Sequence, residues 1–534
     1  MFEIYSRSLG LLPRINIKII IRMFVTSSFE LLTPLLLFLY INESEYLDYF
    51  FTHFFDRDNF LYLIFGFYIF KTVLSFLTYS SIYKECFNFQ ANLSNSLLNK
   101  FANIPFLDFK KFTNGEVFNF IIKEPSNITF NLSIPFFTLL FELFTVFVLF
   151  ALCLFIDLYL SIILSLVFSV VVILINHFTK EKISKYSEVR LNNDALKTGI
   201  MDNIINGIVS IKFIPSNNLF NRFLSYSLNS ANAEFKQQRV SLIPRFVIEF
   251  FIIACLVLIF MLKGEDSLTY LATFGLIALR LMPSFVRISG SMQLFKYALP
   301  VVNSLKEILA ISDEAFLGRK VKDLTPVKSL SVKDISISFG AKIITSNFNW
   351  DFKQGNIYLI NGPSGKGKST LLHYITGLIS SGSIAINNEN INELELRNMI
   401  SYYDQNSYSP DDCLFEFFNL RHSDIGSQNY SDLLELFDYF NLSHLRAMFE
   451  KDFLLRIGRS GINLSSGENQ RLSLIRAFWL NRPILVLDEP SSGLDDETEL
   501  LLINKIREIA TDKIIIVVSH KNALKNISDE IIEF

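Results

Sequence analysis

The pattern of hydrophobic and polar positions divides the chain into two unlike stretches. Long apolar runs recur up to about residue 286 and are missing beyond it. Crossing a bilayer as a helix takes ~20 mostly apolar residues. Six segments meet that length: Lys18–Ile41, Asn59–Ile82, Ser133–Ile156, Leu158–Phe178, Arg245–Leu262 and Leu268–Arg287. The connections between them alternate in character. Glu43–Asn59 is acidic, Ile156–Leu158 is a bare turn, and Lys263–Ser267 is short. Lys84–Asn131 and Lys180–Pro244 are long and basic, carrying Lys100, Lys110, Lys111 and Lys123 in the first and Lys182, Lys185, Arg190 and Lys197 in the second. Basic loops stay on the cytoplasmic side, so both termini are expected there. Structureless loops of that size are uncommon, which predicts rigid helical extensions beyond the bilayer.

From about Ser329 the pattern changes. Short β-rich runs (Ser329–Ser338, Asn356–Ile360, Gly382–Ile386, Pro483–Leu487, Lys513–Val518) alternate with helical stretches. That alternation predicts α/β organisation around a largely parallel sheet. Glu307–Pro326 reads as a polar connector.

Composition sharpens the division. At 534 residues the chain is too long for one compact core. Half of it is hydrophobic and 19% is charged, against about a quarter in soluble domains, so part of it needs an apolar solvent. Phe is heavily used, with 55 copies against 2 Trp. A net charge of −3 implies no nucleic-acid partner. Cys86, Cys153, Cys255 and Cys413 are scattered, suggesting neither a zinc site nor a disulfide framework. Arg7, Arg14, Lys18 and Arg22 precede no small-residue cleavage site, so no cleavable signal is expected.

The strongest chemical pattern is Gly362-Pro-Ser364-Gly365-Lys-Gly367-Lys368-Ser369-Thr370, between the apolar run Ile357–Ile360 and the helix-like Leu371–Leu378. Strand, glycine-rich loop and helix in that order make a P-loop. Its glycines let backbone N–H groups wrap around phosphates at a helix N-terminus. Lys368 would reach the β- and γ-phosphates, and the Ser369 hydroxyl would ligate Mg²⁺. A second element, Ile484-Leu-Val-Leu-Asp488-Glu489-Pro490, ends an apolar run in two acids. It places them at a strand's carboxyl end, where open α/β sheets bind ligands. Asp488 would hold Mg²⁺ indirectly or through water, and Glu489 could polarise an attacking water.

The third element is Leu464-Ser465-Ser466-Gly467-Glu468-Asn469-Gln470-Arg471, starting 24 residues before Asp488. It resembles the LSGGQxQR signature of ABC ATPases and departs from it at Ser466 and Glu468. The resemblance implies that Ser465 and Gly467 close over the γ-phosphate of ATP held by an opposite subunit, with Glu468 adding negative charge there. It further implies a Q-loop role for Gln405, reaching Mg²⁺, and a D-loop at Ser492-Gly-Leu-Asp495. His520 resembles the switch histidine on the γ-phosphate, and Phe339 stands where the family usually stacks a Tyr on adenine. With Lys368, Asp488, Glu489 and His520 all present, a homodimer with two equivalent sites is expected, a related half-transporter being the alternative partner. The chain ends 14 residues after His520, so a short or absent C-terminal extension is expected.

The resemblance extends to the whole chain as an exporter-type ABC half-transporter. It implies an α-helical membrane domain with six transmembrane helices over 1–310, a linker over 311–328, and an α/β P-loop ATPase domain with a helical subdomain over 329–534. Short coupling helices are expected at the tips of the two excursions, Phe106–Thr113 and Ser216–Phe220. Residues Ala278–Ile288 and Ile243–Glu249 are similar to the last two membrane helices of bacterial lipid-linked oligosaccharide flippases. The expected substrate is therefore an anionic glycolipid crossing the bacterial inner membrane. Peptide, bacteriocin or multidrug export is an alternative, and an ATP-gated channel is one of another class. Glu30, Lys71, Glu142, Glu249 and Arg280 lie about 18–21 Å from the outer end of their segments at 1.5 Å per residue. Charges at that depth pair with one another or line a substrate path. Arg287 shares a helical face with Arg280.

Overall fold

The computed structural model describes residues 12–13, 17–41, 57–156, 158–214, 217–263, 267–313, 326–339, 342–363, 365–380, 382–405, 413–421, 424, 427–458 and 461–534. They form two units, Met1–Ile104 with Asp108–Asp313, and Pro105–Leu107 with Glu314–Phe534.

Among the described residues, the regular elements of the first unit are all helices. Its long helices are α1 (Ile17–Ile41), α2 (Arg57–Asn103), α3 (Ile134–Ile156), α4 (Leu158–Asn206), α5 (Asn217–Ser241), α6 (Ile243–Lys263) and α7 (Ser267–Ala310). Each of the six apolar segments falls in its own helix, and α5 belongs to the second basic excursion. Among the described residues, Asn114–Leu154, Ser161–Asn206 and Asn218–Val257 are long and apolar enough to cross a membrane. With 47 and 49 residues, α2 and α4 are about 70 Å long, more than twice the ~30 Å hydrocarbon layer. The excursions are therefore continuations of α2 and α4 rather than loops. α7 packs along α3, α4 and α6, and α5 lies against α4.

Small hydroxyl side chains join α1 to its neighbours. Thr26 and Thr78 hydroxyls lie 3.0 Å apart, and Thr145 donates to Ser27 at 3.3 Å. All four side chains are fully buried. Apolar helices in lipid gain little from burying more hydrocarbon, so such close polar contacts help to join them.

Ahead of α3 the helical path is interrupted by two π-turns, Asn119–Lys123 and Thr129–Ser133. The N–H of Glu124 reaches back to the Asn119 carbonyl, and that of Ile134 to the Thr129 carbonyl. Each turn ends two residues before a proline, Pro125 or Pro135. Proline supplies no N–H and crowds the carbonyl four residues back, and a widened turn relieves both problems.

The basic excursions of this unit contain a buried ion cluster. Arg190 on α4 is 2% exposed. It donates to Asp194 at 3.2 Å, stands 3.6 Å from Glu124, and lies over the Tyr297 ring at 5.5 Å. Asp194 also takes Lys123, Lys197 at 3.1 Å and the Ser230 hydroxyl at 2.7 Å. Burial would raise the Asp194 carboxyl, but the bonds from Lys123, Ser230 and Lys197 hold it below the usual range. Burial does raise Glu124, against the Arg190 charge and the Asn127 amide.

Of the five charges expected inside the spans, Glu142 is fully buried, and its partner is Arg287, whose Nε donates to it at 2.5 Å. Arg287, expected as a companion of Arg280 on one helical face, is thus also a counter-ion of Glu142. Lys71 is buried with its ammonium 5.3 Å from the centre of the Tyr68 ring, and Glu249 is exposed. The Glu30 side chain lies outside the described residues, as does Ser216.

The second unit holds two sheets. Antiparallel β1 (Ser329–Phe339), β2 (Lys342–Lys353), β4 (Ser383–Ile386) and β5 (Glu389–Asn390) run in the order β2-β1-β4-β5. Parallel β3 (Ile357–Asn361), β6 (Ile400–Tyr403), β7 (Ile484–Asp488), β8 (Ile514–Val518) and β9 (Glu530–Glu533) run β6-β7-β8-β3-β9. Every residue of β7 and β8 is buried, as unbroken apolar runs in a covered parallel sheet require. The helices that matter below are α8 (Lys368–Ile375), α9 (Ser443–Lys451) and α10 (Ser466–Trp479). Strands β2, β5, β6 and β9 were not anticipated from the sequence, β5 and β6 being only two and four residues long. β2 is largely polar and shows no apolar run, and β9 is four residues at the edge of the sheet. Within this unit the Phe106 ring meets His373 edge-on at 4.9 Å.

Candidate functional site

The parallel sheet collects the chemistry at the carboxyl ends of three adjacent strands. β3 leads into the glycine-rich loop and α8, β7 ends in Asp488 and Glu489, and β8 ends two residues before His520. The pairing of Asp488 with Val518 in parallel register brings these ends level.

The loop's backbone explains its glycines. Gly365 and Gly367 have φ of +77° and +95°, and Gly367 is the N-cap of α8. A Cβ on Gly362 would come 2.2 Å from the Phe534 carbonyl oxygen, so only glycine fits. Ser364 lies outside the described residues. Lys368, nearly buried, curls over the loop, donating to the carbonyls of Gly362 at 2.8 Å and Pro363 at 3.1 Å. Its ammonium is 2.9 Å from His520 Nε2. Ser369 follows on α8, with its hydroxyl close enough to the Asp488 carboxylate to lower that group's pKa. Thr370 is the third residue of the same helix.

Asp488 is buried, and its Oδ1 has no hydrogen-bond partner among the described residues. Burial raises its carboxyl, the Ser369 hydroxyl opposes that, and the nearby charges of Asp404 and Glu489 add to it. A buried carboxylate with an unused oxygen beside a hydroxyl offers the hard oxygen donors that a divalent cation takes. Glu489 adopts φ +49°, a left-handed conformation that is uncommon for a residue with a side chain. Its N–H bonds the Val518 carbonyl at 2.9 Å. Its carboxylate accepts from the Gln405 amide at 2.9 Å and stands 3.8 Å from His520 Nε2. Lys368, Gln405, Asp488, Glu489 and His520 thus form one continuous polar cluster. Phe339 ends β1, paired with Lys342, and nothing is described of its side chain.

Ser465 and Gly467 stand apart. Ser465 is the N-cap of α10, and Gly467 is in the first turn of that helix. No hydrogen bond among the described residues ties either to the Lys368 cluster. Gln470, one turn further on, donates to the Ser492 carbonyl at 2.8 Å and so fastens α10 to the segment following Glu489. Sequence reading missed His444, whose Nε2 is 3.0 Å from Glu468. The two residues are 24 positions apart, and no motif links them.

Comparison with known proteins agrees with this geometry. Residues 345–492 match the family model described as ABC transporter. A probable ABC transporter ATP-binding/permease protein of Haemophilus influenzae is 33% identical over 215 residues, 39% of this chain and 38% of that protein. An ATP-dependent lipid A-core flippase of Photobacterium profundum is 24% identical over 326 residues, 58% of this chain and 55% of that protein. The match thus spans between 38% and 55% of these relatives' length. The structure of a bacterial Atm1-family ABC exporter with ATP bound superposes with a TM-score of 0.80 at 17% identity, over 97% of this chain and 93% of that one. The chain therefore joins a unit in which residues 345–492 match the ABC transporter family model to a helical unit, in the fold of an ABC exporter.

Proposed function

We propose that this chain is one half of a dimeric ABC exporter of the bacterial inner membrane. In this reading it couples ATP hydrolysis on the cytoplasmic side to flipping an anionic glycolipid, a lipid-linked oligosaccharide first among them. The observation that carries the ATPase reading is the Lys368–Asp488–Glu489–Gln405–His520 cluster at the carboxyl ends of the parallel strands.

Lys368 leaves the loop carbonyls to neutralise the β- and γ-phosphates. His520, now beside Lys368, takes the γ-phosphate edge. Glu489 orients and polarises the attacking water, and Gln405 holds that carboxylate until nucleotide arrives. Ser369, Asp488 and Gln405 would hold Mg²⁺, which when bound neutralises charge on the phosphates. Ser465 and Gly467, lying outside the cluster, serve the nucleotide of a second copy. ATP moves the membrane helices in so far as it binds the closed dimer better than the open one.

Support for an anionic lipid substrate comes from the cations Lys71 and Arg280 within apolar helices, and from the lipid A-core flippase among the relatives. The test is ATP hydrolysis by the full chain in nanodiscs, alone, with a polyprenyl-pyrophosphate glycan, and with a peptide panel, using Glu489→Gln as the blank. Stimulation by the glycolipid supports the proposal. Stimulation by peptides alone replaces it with peptide export, and hydrolysis equal to the blank removes the ATPase reading.

A further inference from the structure

The signature helix α10 carries its own anion. Glu468 Oε2 accepts from the Ser465 backbone N–H at 2.8 Å and from the Ser465 hydroxyl at 2.8 Å. The Glu468 N–H in turn donates to the Ser465 oxygen at 3.3 Å, completing a capping box. The other carboxylate oxygen is 3.0 Å from His444 Nε2 at the start of α9. The Ser465 bonds, with the His444 contact adding to them, hold the Glu468 carboxyl below its usual range against a small burial effect. The group in this position is therefore a carboxylate, at the positive end of a 14-residue helix.

The Ser465 donors are the ones that the proposed dimeric ATPase assigns to the γ-phosphate of the partner's ATP, and the inference rests on that reading. A phosphate oxygen and the Glu468 carboxylate cannot both take them. A carboxylate left in place would also repel the arriving phosphate. Glu468 is about one-fifth exposed and His444 about one-half, so the side chain has room to turn. His444 offers it a second partner when it does.

We infer that the Glu468 carboxylate is an internal competitor for the ATP γ-phosphate: it occupies the Ser465 donors at rest and must swing toward His444 before two chains can close on nucleotide. Glu468 thereby sets how much ATP the dimer needs. His444 is a positioning residue, stabilising the displaced carboxylate.

The experiment uses the full chain in nanodiscs carrying Glu489→Gln, so that nucleotide is bound and not turned over. ATP and ADP affinities are measured with and without Glu468→Gln. Glutamine keeps the capping geometry and removes the charge. ATP should bind about fivefold more tightly or better, the scale of an anion's interaction with a helix N-terminus. ADP, lacking the γ-phosphate, should bind unchanged. An unchanged or weaker ATP affinity overturns the inference. So does an equal shift for ATP and ADP, which marks a change in the helix cap alone. His444→Ala should weaken ATP binding in the parent and have no effect once Glu468→Gln is present; an effect that persists removes His444 from the account. Failure of the underlying reading looks different, because ATP binding would then be indifferent to Lys368→Ala.

Discussion

At the scale of single residues, the site shows its function in groups held where they would not otherwise rest. Glu489 is in a left-handed conformation, and such strain persists where the surroundings impose it. Here the Val518 carbonyl holds its N–H and Gln405 holds its carboxylate. Glu489→Gln keeps shape and the Gln405 contact but cannot polarise water. ATP affinity should be retained while turnover falls by ~100-fold or more, the usual worth of a general base. Equal turnover in both proteins would dismiss Glu489 as the base. Gly362→Ala tests the loop instead. Its Cβ would meet the Phe534 carbonyl at 2.2 Å, so backbone must move, and ATP affinity should drop at least tenfold with the Glu489 machinery intact. Most of this was legible beforehand, because Gly362–Thr370 and Ile484–Glu489 state their chemistry in contiguous residues. The His444–Glu468 contact was not, since it joins the first turns of two helices whose packing no local pattern encodes.

At the scale of elements, the long apolar helices were readable from their runs, whereas their irregularities were not. Pro125 and Pro135 are visible in the sequence, but that each is absorbed by a π-turn rather than a break follows from the packing around Asn119–Ser133. The basic excursions were read as rigid helical extensions, with their positive charge taken as a marker of sidedness. Part of that charge is internal: Arg190, Asp194 and Glu124 are buried together, because each side chain finds its partner on another turn or helix. Arg190→Ala should destabilise the helical unit by about 3–5 kcal/mol, as removing one member of a buried ion pair does. Glu124 is the group left most exposed to that loss, since Asp194 keeps Lys123, Lys197 and Ser230. Adding Glu124→Gln should therefore recover a large part of the fall in thermal midpoint. The pH signs of the two acids differ. Asp194, held low, contributes stability that is present above the ordinary carboxylate pKa and fades as pH falls through its lowered value. Glu124, held high, contributes stability that is lost as pH rises through its raised value. Glu124→Gln alone should accordingly look more favourable relative to the parent at pH 8 than at pH 4, and the opposite trend in melting midpoints would reverse the assignment.

At the scale of the whole molecule, the proposed function makes the nucleotide site of a single chain incomplete. Lys368, Asp488, Glu489, Gln405 and His520 converge, while Ser465 and Gly467 cap a helix with no bond to them among the described residues. The resemblance to the ABC signature already set Ser465 and Gly467 apart from the other five residues, a separation that local pattern alone does not give because it depends on how β7, β8 and α10 are placed. In the proposed dimer each site takes Lys368 from one copy and Ser465 from the other, and two-fold symmetry makes the two sites equivalent. Complementation tests this directly. Chains carrying Lys368→Ala and chains carrying Ser465→Ala should each be nearly inactive as homodimers. Mixed in equal amounts, half of the dimers pair one of each. In those, both lesions fall in one site and the other site is intact. ATP hydrolysis should then return to about a quarter of the unmodified rate, one working site of two in half of the dimers. Sites confined to single chains would gain nothing from mixing, because every chain would still carry its own lesion. Recovery would therefore place Ser465 opposite the partner's Lys368, and a mixture as inactive as its components would count against the composite site.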